Sequence, residues 1–242
     1  MNERGWKGQV MRRYALAATP HGRLWLQWQS QIECLTWQCL LGSGKVTKRT
    51  LDLLLSGIAL ALLGPLFLLI AVLIKLEDRG PVFFAQTRVG RFGREFRMFK
   101  FRSMCMDAEQ RLKDLLAKNQ HKHGVTFKLK NDPRITRIGR LLRKFSLDEL
   151  PQFYNVFKGD MSLVGPRPPV PREVALYSQA DRRRLAVKPG ITCIWQVSGR
   201  AEIDFKGQVQ LDVQYIESQR ISTDLRILAK TVPAVISGRG AC

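Results

Sequence analysis

The segment from Leu53 to Ile74 constrains the fold of this chain more than any other feature, because its 22 residues include no charged side chain. At about 1.5 Å per helical residue, such a segment is about 33 Å long, which is enough to cross the hydrocarbon core of a bilayer. Core helices of soluble proteins seldom extend so far without a charge. The segment therefore predicts a helix that is inserted into a membrane.

A break in the middle of this segment indicates how it enters the membrane. Pro65, directly after Gly64, removes a helical hydrogen bond and clashes with the preceding turn, at a cost of about 3 kcal/mol. Both ends carry basic residues, which are typical of cytoplasmic flanks: Lys45, Lys48, Arg49, Lys75 and Arg79. Both ends are cytoplasmic only if the segment dips in and returns, so we predict a re-entrant helix. A spanning helix that is kinked at Pro65 is the alternative.

The N-terminal segment differs in kind from the rest, because four of the five tryptophans lie before residue 40. Trp25 and Trp28 begin a row of apolar residues at near-helical spacing between Arg23 and Leu41. This pattern is typical of a helix that lies in the membrane interface, where tryptophan rings are favoured. An ordinary amphipathic helix packed on the main domain is the alternative.

The residues after the membrane segment predict a small, mainly helical domain with one β-hairpin. The sequence predicts a strand at 81–88, a turn at 90–93 and a second strand at 95–101, where polar and apolar residues alternate. Helical patterns follow at 106–118, at 134–144, from Ser146 onwards, at 205–219 and at 223–236, with a turn at 131–133. The predicted class is α+β and mainly helical, with a re-entrant membrane helix and a small cytosolic domain. The predicted divisions are 1–44, 45–80 and 81–242.

Composition narrows the function without deciding it. The formal charge of +20 points to anionic partners, which include nucleic acid, anionic lipid and phosphorylated substrates. Five cysteines without a Cys-x-x-Cys pair argue against a disulfide framework and a structural zinc site, and favour a reducing compartment. A non-catalytic, membrane-anchored basic module that binds anionic lipid or nucleic acid would explain the charge and the anchor. It would not explain the residues considered next.

Two adjacent carboxylates, Asp148 and Glu149, follow Ser146 and support two interpretations. As structure, Ser146 and Glu149 form a capping box at a helix start. As chemistry, the pair is a candidate nucleophile and metal site, since carboxylates can attack phosphorus to form an acyl phosphate. The two interpretations are compatible, because a cap can also fix an active-site carboxylate.

Cationic residues near this pair favour the chemical interpretation. Arg167 lies between two prolines, which restrict its backbone and orient a guanidinium suited to bidentate phosphate binding. Arg143 lies five residues before Asp148, and Lys100 and Arg102 add further positive charge. Carboxylates among such cations fit metal-assisted phosphoryl transfer, in which positioning and charge neutralisation supply most of the rate.

Four segments carry a resemblance to a known family: KFRSM (100–104), SLDELPQFYNVFKGDMSLVGPRP (146–168), KPGITCIWQVSGR (188–200) and LDVQYI (211–216). Over residues 45 to 242 the chain resembles the bacterial sugar transferases, which are monotopic phosphoglycosyl transferases. That family has a re-entrant membrane helix that is often broken at Ser-Pro. Here the pair is Gly64-Pro65, so the break is retained without the serine.

The resemblance implies a reaction and its residues. Asp148 is the expected nucleophile on the β-phosphate of a UDP-sugar, with glucose or galactose favoured, and Glu149 is expected to bind Mg²⁺ or assist deprotonation. The acceptor is polyprenyl phosphate in the lipid bilayer of the bacterial inner membrane, at its cytoplasmic face, and no nucleic acid is involved. Asp148, Glu149 and Asp212 are the candidate metal ligands. The candidate phosphate or substrate contacts are Lys100, Arg102, Arg143, Arg167 and Arg200.

Overall fold

The computed structural model describes residues 15, 17–108, 110–111, 132–199 and 203–237, with the side chains of 33–43 outside that description. Helices dominate, and a small β-hairpin accompanies them, as the sequence predicts. The chain divides into two compact units, Met1–Lys48 and Arg49–Cys242. All of the candidate site residues belong to the second unit.

The α-helices, numbered here in chain order, are α1 (Pro20–Leu62), α2 (Gly64–Asp78), α3 (Arg137–Lys144), α4 (Gln152–Lys158), α5 (Pro171–Ala175), α6 (Ile194–Ser198), α7 (Phe205–Glu217) and α8 (Ile221–Ser237). Short 3-10 turns lie at Arg91–Gly93, Leu147–Glu149 and Asp181–Ala186. The strands are β1 (Phe83–Val89), β2 (Glu95–Phe101), β3 (Ser162–Val164) and β4 (Gly190–Thr192). The predicted helix at 106–118 and the predicted turn at 131–133 lie largely or partly outside the described residues.

The apolar segment breaks where its sequence predicts a break. Helix α1 ends at Leu62 and α2 begins at Gly64, with Pro65 in the first turn of α2, where its missing N–H costs nothing. In the described part of the chain, no single helix is both long and apolar enough to cross a membrane, whereas Gly44–Leu62 and Gly64–Asp78 together meet that criterion and are bent by 58°. Large exposed apolar side chains cover both arms: Leu54, Leu55, Ile58, Leu62, Leu68, Leu69, Val72 and Leu76.

The first arm of this bent pair is bonded near its start to the part of the chain that follows the hairpin. Arg49 donates to the backbone carbonyls of Val156 and Phe157, in the last turn of α4, at 2.6 and 2.8 Å. Three residues later, buried Asp52 accepts a hydrogen bond from the backbone N–H of Leu163 in β3 at 3.0 Å.

The second arm is bonded at its far end to the same part of the chain. Asp78 accepts a hydrogen bond from buried Arg102, and Glu77 accepts from the backbone N–H groups of Arg137 and Ile138 at the start of α3. Acceptance at a helix N-terminus places a carboxylate against the positive end of the helix dipole. Both ends of the bent pair therefore contact one and the same domain.

The predicted hairpin is present, and its second strand has the predicted bounds. Strands β1 and β2 pair antiparallel, with Phe83 opposite Phe101 and Val89 opposite Glu95. Phe92 and Gly93 have positive φ values of 58° and 80° in the connecting turn. Phe101 is buried against Ile70 and Ile74 of α2 and Leu142 of α3, so one end of this hairpin packs on the second arm of the bent pair.

A second, parallel pair of strands was not predicted. Ser162 pairs with Gly190 and Val164 with Thr192, and both strands have three residues each. The backbones at Gly165 and Gly190 approach each other so closely that a Cβ on Gly190 would lie 2.1 Å from the backbone nitrogen of Gly165. Only glycine permits that approach, and it fixes the start of the Pro166–Pro168 turn that carries Arg167.

Candidate active site

The local structure around the carboxylate pair corrects the predicted capping box. Ser146 lies in the left-handed region with φ of 54°, and its side chain makes no cap hydrogen bond. Glu149 bonds to the Lys100 ammonium instead of reaching back to Ser146. The carboxylates lie in the 3-10 turn Leu147–Glu149, and α4 begins only at Gln152. The interpretation of Ser146 and Glu149 as a helix cap is therefore wrong.

The two neighbouring carboxylates have different surroundings. Glu149 accepts a hydrogen bond from Lys100 Nζ at 2.7 Å across 49 residues of sequence. Asp148 is 6% exposed, and no described residue donates a hydrogen bond to it. Buried carboxylates ordinarily have hydrogen-bond partners, so an unengaged one is a marker of function. One carboxylate of the pair is held in place, and the other is available for chemistry.

The pKa values of the pair move in opposite directions. Burial raises the pKa of Asp148, as does the charge of Glu149, against the opposing effects of Lys100 and Arg143. Burial would also raise the pKa of Glu149, but the charges of Lys100 and Arg167 and the bond from Lys100 outweigh it and lower that pKa to about 2. Neighbouring acids whose environments separate their pKa values are typical of active sites.

A small cationic pocket opens beside Glu149. Its lining carries three cations and one carboxylate, and Asp148 is buried next to the lining rather than part of it. The lining residues are Arg88, Met98, Lys100, Glu149, Gln152, Arg167, Pro168, Gly190, Ile191 and Gln196. Since Lys100 and Glu149 form an ion pair, the positive charge of the two arginines is left to attract an anionic ligand.

Arg167 is presented by a turn whose backbone is held from several directions. The carbonyl of Pro166 accepts from the N–H of Gly190, and the N–H of Gly165 donates to the carbonyl of Thr192. The following carbonyl, that of Pro168, accepts from Arg88 Nη1 at 2.9 Å. This fixed backbone supports the predicted role of Arg167 as a pre-oriented guanidinium.

Arg143 lies near Asp148, in the last turn of α3. Its Nε donates to Ser103 Oγ at 2.9 Å. Burial lowers the pKa of Arg143, and the nearby charge of Asp148 opposes that shift. The structure thus brings Lys100, Arg143 and Arg167 around Asp148 and Glu149, as the sequence predicts.

Sequence reasoning missed several members of the site. Arg88, Gln152 and Gln196 line the pocket, although their residue types alone do not indicate a ligand. Position 88 closes a predicted strand, and Gln152 and Gln196 lie within the segments 146–168 and 188–200 that carry the family resemblance. Only the neighbourhood of Arg88 in the folded hairpin reveals its place.

Comparison with known protein families identifies the family to which this chain belongs. Residues 43–238 match the model of the family described as bacterial sugar transferase. The chain belongs to that family. The predicted resemblance is confirmed, and it covers almost the whole of the second compact unit.

Individual relatives agree with the family assignment of this sugar transferase. It is 52% identical over 197 residues to galactosyl transferase CpsE of Streptococcus agalactiae, covering 81% of this chain and 43% of that protein. It is 43% identical to the exopolysaccharide production protein ExoY of Rhizobium meliloti, covering 82% and 89%. It is 44% identical to the undecaprenyl-phosphate galactose phosphotransferase of Salmonella typhimurium, covering 82% and 42%. The chain thus spans less than half of the first and third of these relatives.

Two predicted site residues of the sugar transferase lie elsewhere and have other partners. Arg102 is buried and bonded to Asp78 at the end of α2, so its charge is balanced there and it does not line the pocket. Asp212 is 1% exposed and forms an ion pair with buried Arg184 at 2.5 Å. The predictions that Arg102 contacts substrate and that Asp212 binds metal or nucleotide thus lose their geometric support.

The predicted metal ligands also fail to form one cluster. Within the described residues no three histidine, cysteine, aspartate or glutamate side chains come together as a metal site, so Asp212 does not join Asp148 and Glu149. Arg200, the last predicted phosphate contact, lies outside the described residues.

Proposed function

We propose that this sugar transferase moves a hexose-1-phosphate from a UDP-sugar to undecaprenyl phosphate, giving a polyprenyl-diphosphate sugar and UMP, as the first step of exopolysaccharide or related glycan assembly. The observation that carries the proposal is the unengaged, buried Asp148 beside a cationic pocket. The names of the relatives support the substrate class, because two of them denote a galactosyl transferase and an undecaprenyl-phosphate galactose phosphotransferase. Galactose or glucose is the proposed sugar.

The proposed chemistry has two displacements at one phosphorus atom. A carboxylate oxygen of Asp148 attacks the β-phosphorus of the UDP-sugar, the bond from that phosphorus to the bridging oxygen breaks, and UMP leaves with the electron pair. A phosphate oxygen of the lipid then attacks the same phosphorus and releases the Asp148 carboxylate. Covalent catalysis of this kind divides one difficult transfer into two easier ones.

The surrounding cations have separate tasks in this scheme. Lys100 holds Glu149 in its ionised form and adds positive charge next to Asp148. Arg167 and Arg143, whose charges both act on Asp148, stabilise the negative charge that spreads over the transferring phosphoryl group. Arg167 does so from a fixed turn, so little reorganisation is needed during the reaction.

The donor set fits a magnesium ion, which we propose as the cofactor. Mg²⁺ is usually bound by one or two carboxylates together with substrate phosphates, and Asp148 and Glu149 supply two adjacent carboxylates. When bound, the ion would neutralise phosphate charge. Glu149 is the proposed principal protein ligand, because it lines the pocket and remains ionised with a pKa of about 2.

The first experiment measures UMP release from UDP-galactose, UDP-glucose and their N-acetyl derivatives by the purified protein in lipid nanodiscs. We expect release that requires both undecaprenyl phosphate and Mg²⁺, is greatest for one of the two hexoses, and stops in excess chelator. A non-catalytic basic module would bind the lipid without releasing UMP. Full turnover in excess chelator would remove Mg²⁺ from the proposal and leave the transfer reaction intact.

We also propose that the bent pair is re-entrant, with both ends at the cytoplasmic face of the inner membrane. From Arg49 to Leu62 and from Gly64 to Asp78 the two arms are each about 20 Å long. With a bend of 58°, their apex lies only about 10 Å from the line that joins their ends, less than half of a hydrocarbon core of about 30 Å. The contacts of Arg49 and Asp78 with one domain support the same topology.

Cysteine labelling in membranes tests this topology. In a variant without the five native cysteines, Thr50→Cys and Arg79→Cys introduce exposed thiols at the two ends of the pair. We expect an impermeant maleimide to label both in inverted vesicles and neither in intact spheroplasts. Arg172→Cys, an exposed position of the catalytic domain, is the matched control. Labelling of positions 50 and 79 from opposite faces would show a spanning helix.

A further inference from the structure

Arg88 enters the pocket from the end of β1 and is fixed there by its own hydrogen bonds. Its Nε and Nη2 donate to Gln86 Oε1 at 3.1 and 2.7 Å, and its Nη1 donates to the carbonyl of Pro168 at 2.9 Å. A guanidinium carries five N–H donors, so two of them are still available to a ligand. The side chain is therefore oriented in advance and keeps donors free.

Arg88 and Arg167 lack a directly bonded carboxylate among the described residues. Both Arg88 and Arg167 line the pocket, and in the described part of the chain neither forms an ion pair with a carboxylate. Burial lowers the pKa of Arg88 to about 10, and the positive charge of Arg167 contributes to that shift. Two partly buried guanidinium groups with a net positive charge are stabilised by an anion placed between them.

We propose that Arg88 is a further phosphate-binding residue, which acts together with Arg167 on one phosphate group in this pocket. The inference rests on the proposed function for the identity of the ligand, a diphosphate or a lipid phosphate. Gln86 and the Pro168 carbonyl take one N–H of each guanidinium nitrogen, and the two remaining N–H groups, one on Nη1 and one on Nη2, bind phosphate oxygens. The same bond to Pro168 links Arg88 to the turn that presents Arg167.

Affinity for UDP measures this role without turnover. By isothermal titration of the full protein in nanodiscs at fixed Mg²⁺, we expect Arg88→Gln to bind UDP about 10- to 100-fold more weakly, as for the loss of a charge-assisted hydrogen bond. Arg94→Gln removes the same charge from an exposed position of the same hairpin and serves as the control, with unchanged affinity expected. Equal losses of UDP affinity in the two variants would overturn the proposal, as would an unchanged UDP affinity together with an unchanged KM for the lipid.

Three further measurements separate phosphate binding from a purely structural role. Arg88→Lys retains the charge and is expected to recover affinity relative to Arg88→Gln. The salt dependence of UDP binding should weaken in Arg88→Gln and not in Arg94→Gln, because one interacting charge has been removed. In a double-mutant cycle, Arg88→Gln and Arg167→Gln should be non-additive if they share a phosphate. Equal losses in Arg88→Lys and Arg88→Gln, with unchanged salt dependence and additive effects, would show a structural role only.

The two sources of phosphate give different kinetic results. If the nucleotide diphosphate occupies the Arg88 site, Arg88→Gln raises the KM for UDP-sugar and leaves that for undecaprenyl phosphate unchanged. If the lipid phosphate occupies it, the KM for the lipid rises instead and the UDP affinity is unaltered. Either result supports the anion site, and an unchanged affinity and KM for both ligands overturns it. Failure of the proposed function is distinct, since wild-type protein would then release no UMP.

Discussion

Asp148→Asn is expected to lower the rate of UMP release by at least about 1,000-fold, because an amide cannot form the acyl phosphate and loss of a nucleophile removes most of the rate enhancement. The folded state should survive this change. In the described part of the chain no residue donates a hydrogen bond to Asp148, and the substitution removes a charge whose burial is unfavourable. Initial rates at saturating UDP-sugar and lipid measure the effect.

The control for this variant is Asp107→Asn, which changes an exposed aspartate that forms an exposed ion pair with Arg111. We expect its rate to stay within about twofold of wild type, as surface pairs of this kind contribute little. Circular dichroism and UDP affinity show whether each variant is folded. Wild-type turnover by a folded Asp148→Asn protein would exclude Asp148 as the nucleophile.

The largest expected effect on stability comes from Asp212→Ala. Arg184 and Asp212 are both nearly inaccessible to solvent, and Arg184 Nη1 also donates to the Tyr177 hydroxyl at 3.1 Å. Removal of the carboxylate leaves a buried guanidinium without its counter-charge, which costs about 3–5 kcal/mol. Denaturant unfolding in nanodiscs or mild detergent should show a loss of that size in the free energy of unfolding.

The same two elements supply the matched control. Arg183 and Glu217 form an exposed ion pair at 2.6 Å between the 3-10 turn Asp181–Ala186 and α7. Glu217→Ala should cost less than about 1 kcal/mol, because water already solvates both charges. If Asp212 were instead a metal ligand, Asp212→Ala would leave stability without metal unchanged and weaken Mg²⁺ binding.

Local chemistry made parts of the fold predictable. Pro65 removes a helical N–H, so the break between α1 and α2 follows from one residue. The alternation in Glu95–Phe101 gave the second strand its bounds. The parallel pair of β3 and β4 could not be predicted, because each strand has only three residues and the pairing joins segments far apart in the chain.

In the site, as in the fold, features set by neighbouring residues are predictable from sequence, and features set by distant contacts are not. The sequence predicts Asp148, Glu149 and Arg167 as site residues, because all three lie close together in one short motif. The capping interpretation of Ser146 failed because Glu149 pairs with Lys100, which lies 49 residues away. Likewise, the charge of Arg102 is used by Asp78 rather than by a ligand. A cation's partner depends on the tertiary fold, which charge patterns in a sequence do not encode.

The central claim is the covalent role of Asp148, and the most direct measurement is a labelling reaction without the lipid acceptor. UDP-sugar carrying ³²P in its β-phosphate is incubated with wild-type protein and with Asp148→Asn in the presence of Mg²⁺. We expect label on the wild-type protein that added undecaprenyl phosphate removes, and none on Asp148→Asn. Equal labelling of both proteins would contradict the proposed mechanism. So would turnover by the wild type that gives no labelled protein when the reaction is quenched on the timescale of a single turnover.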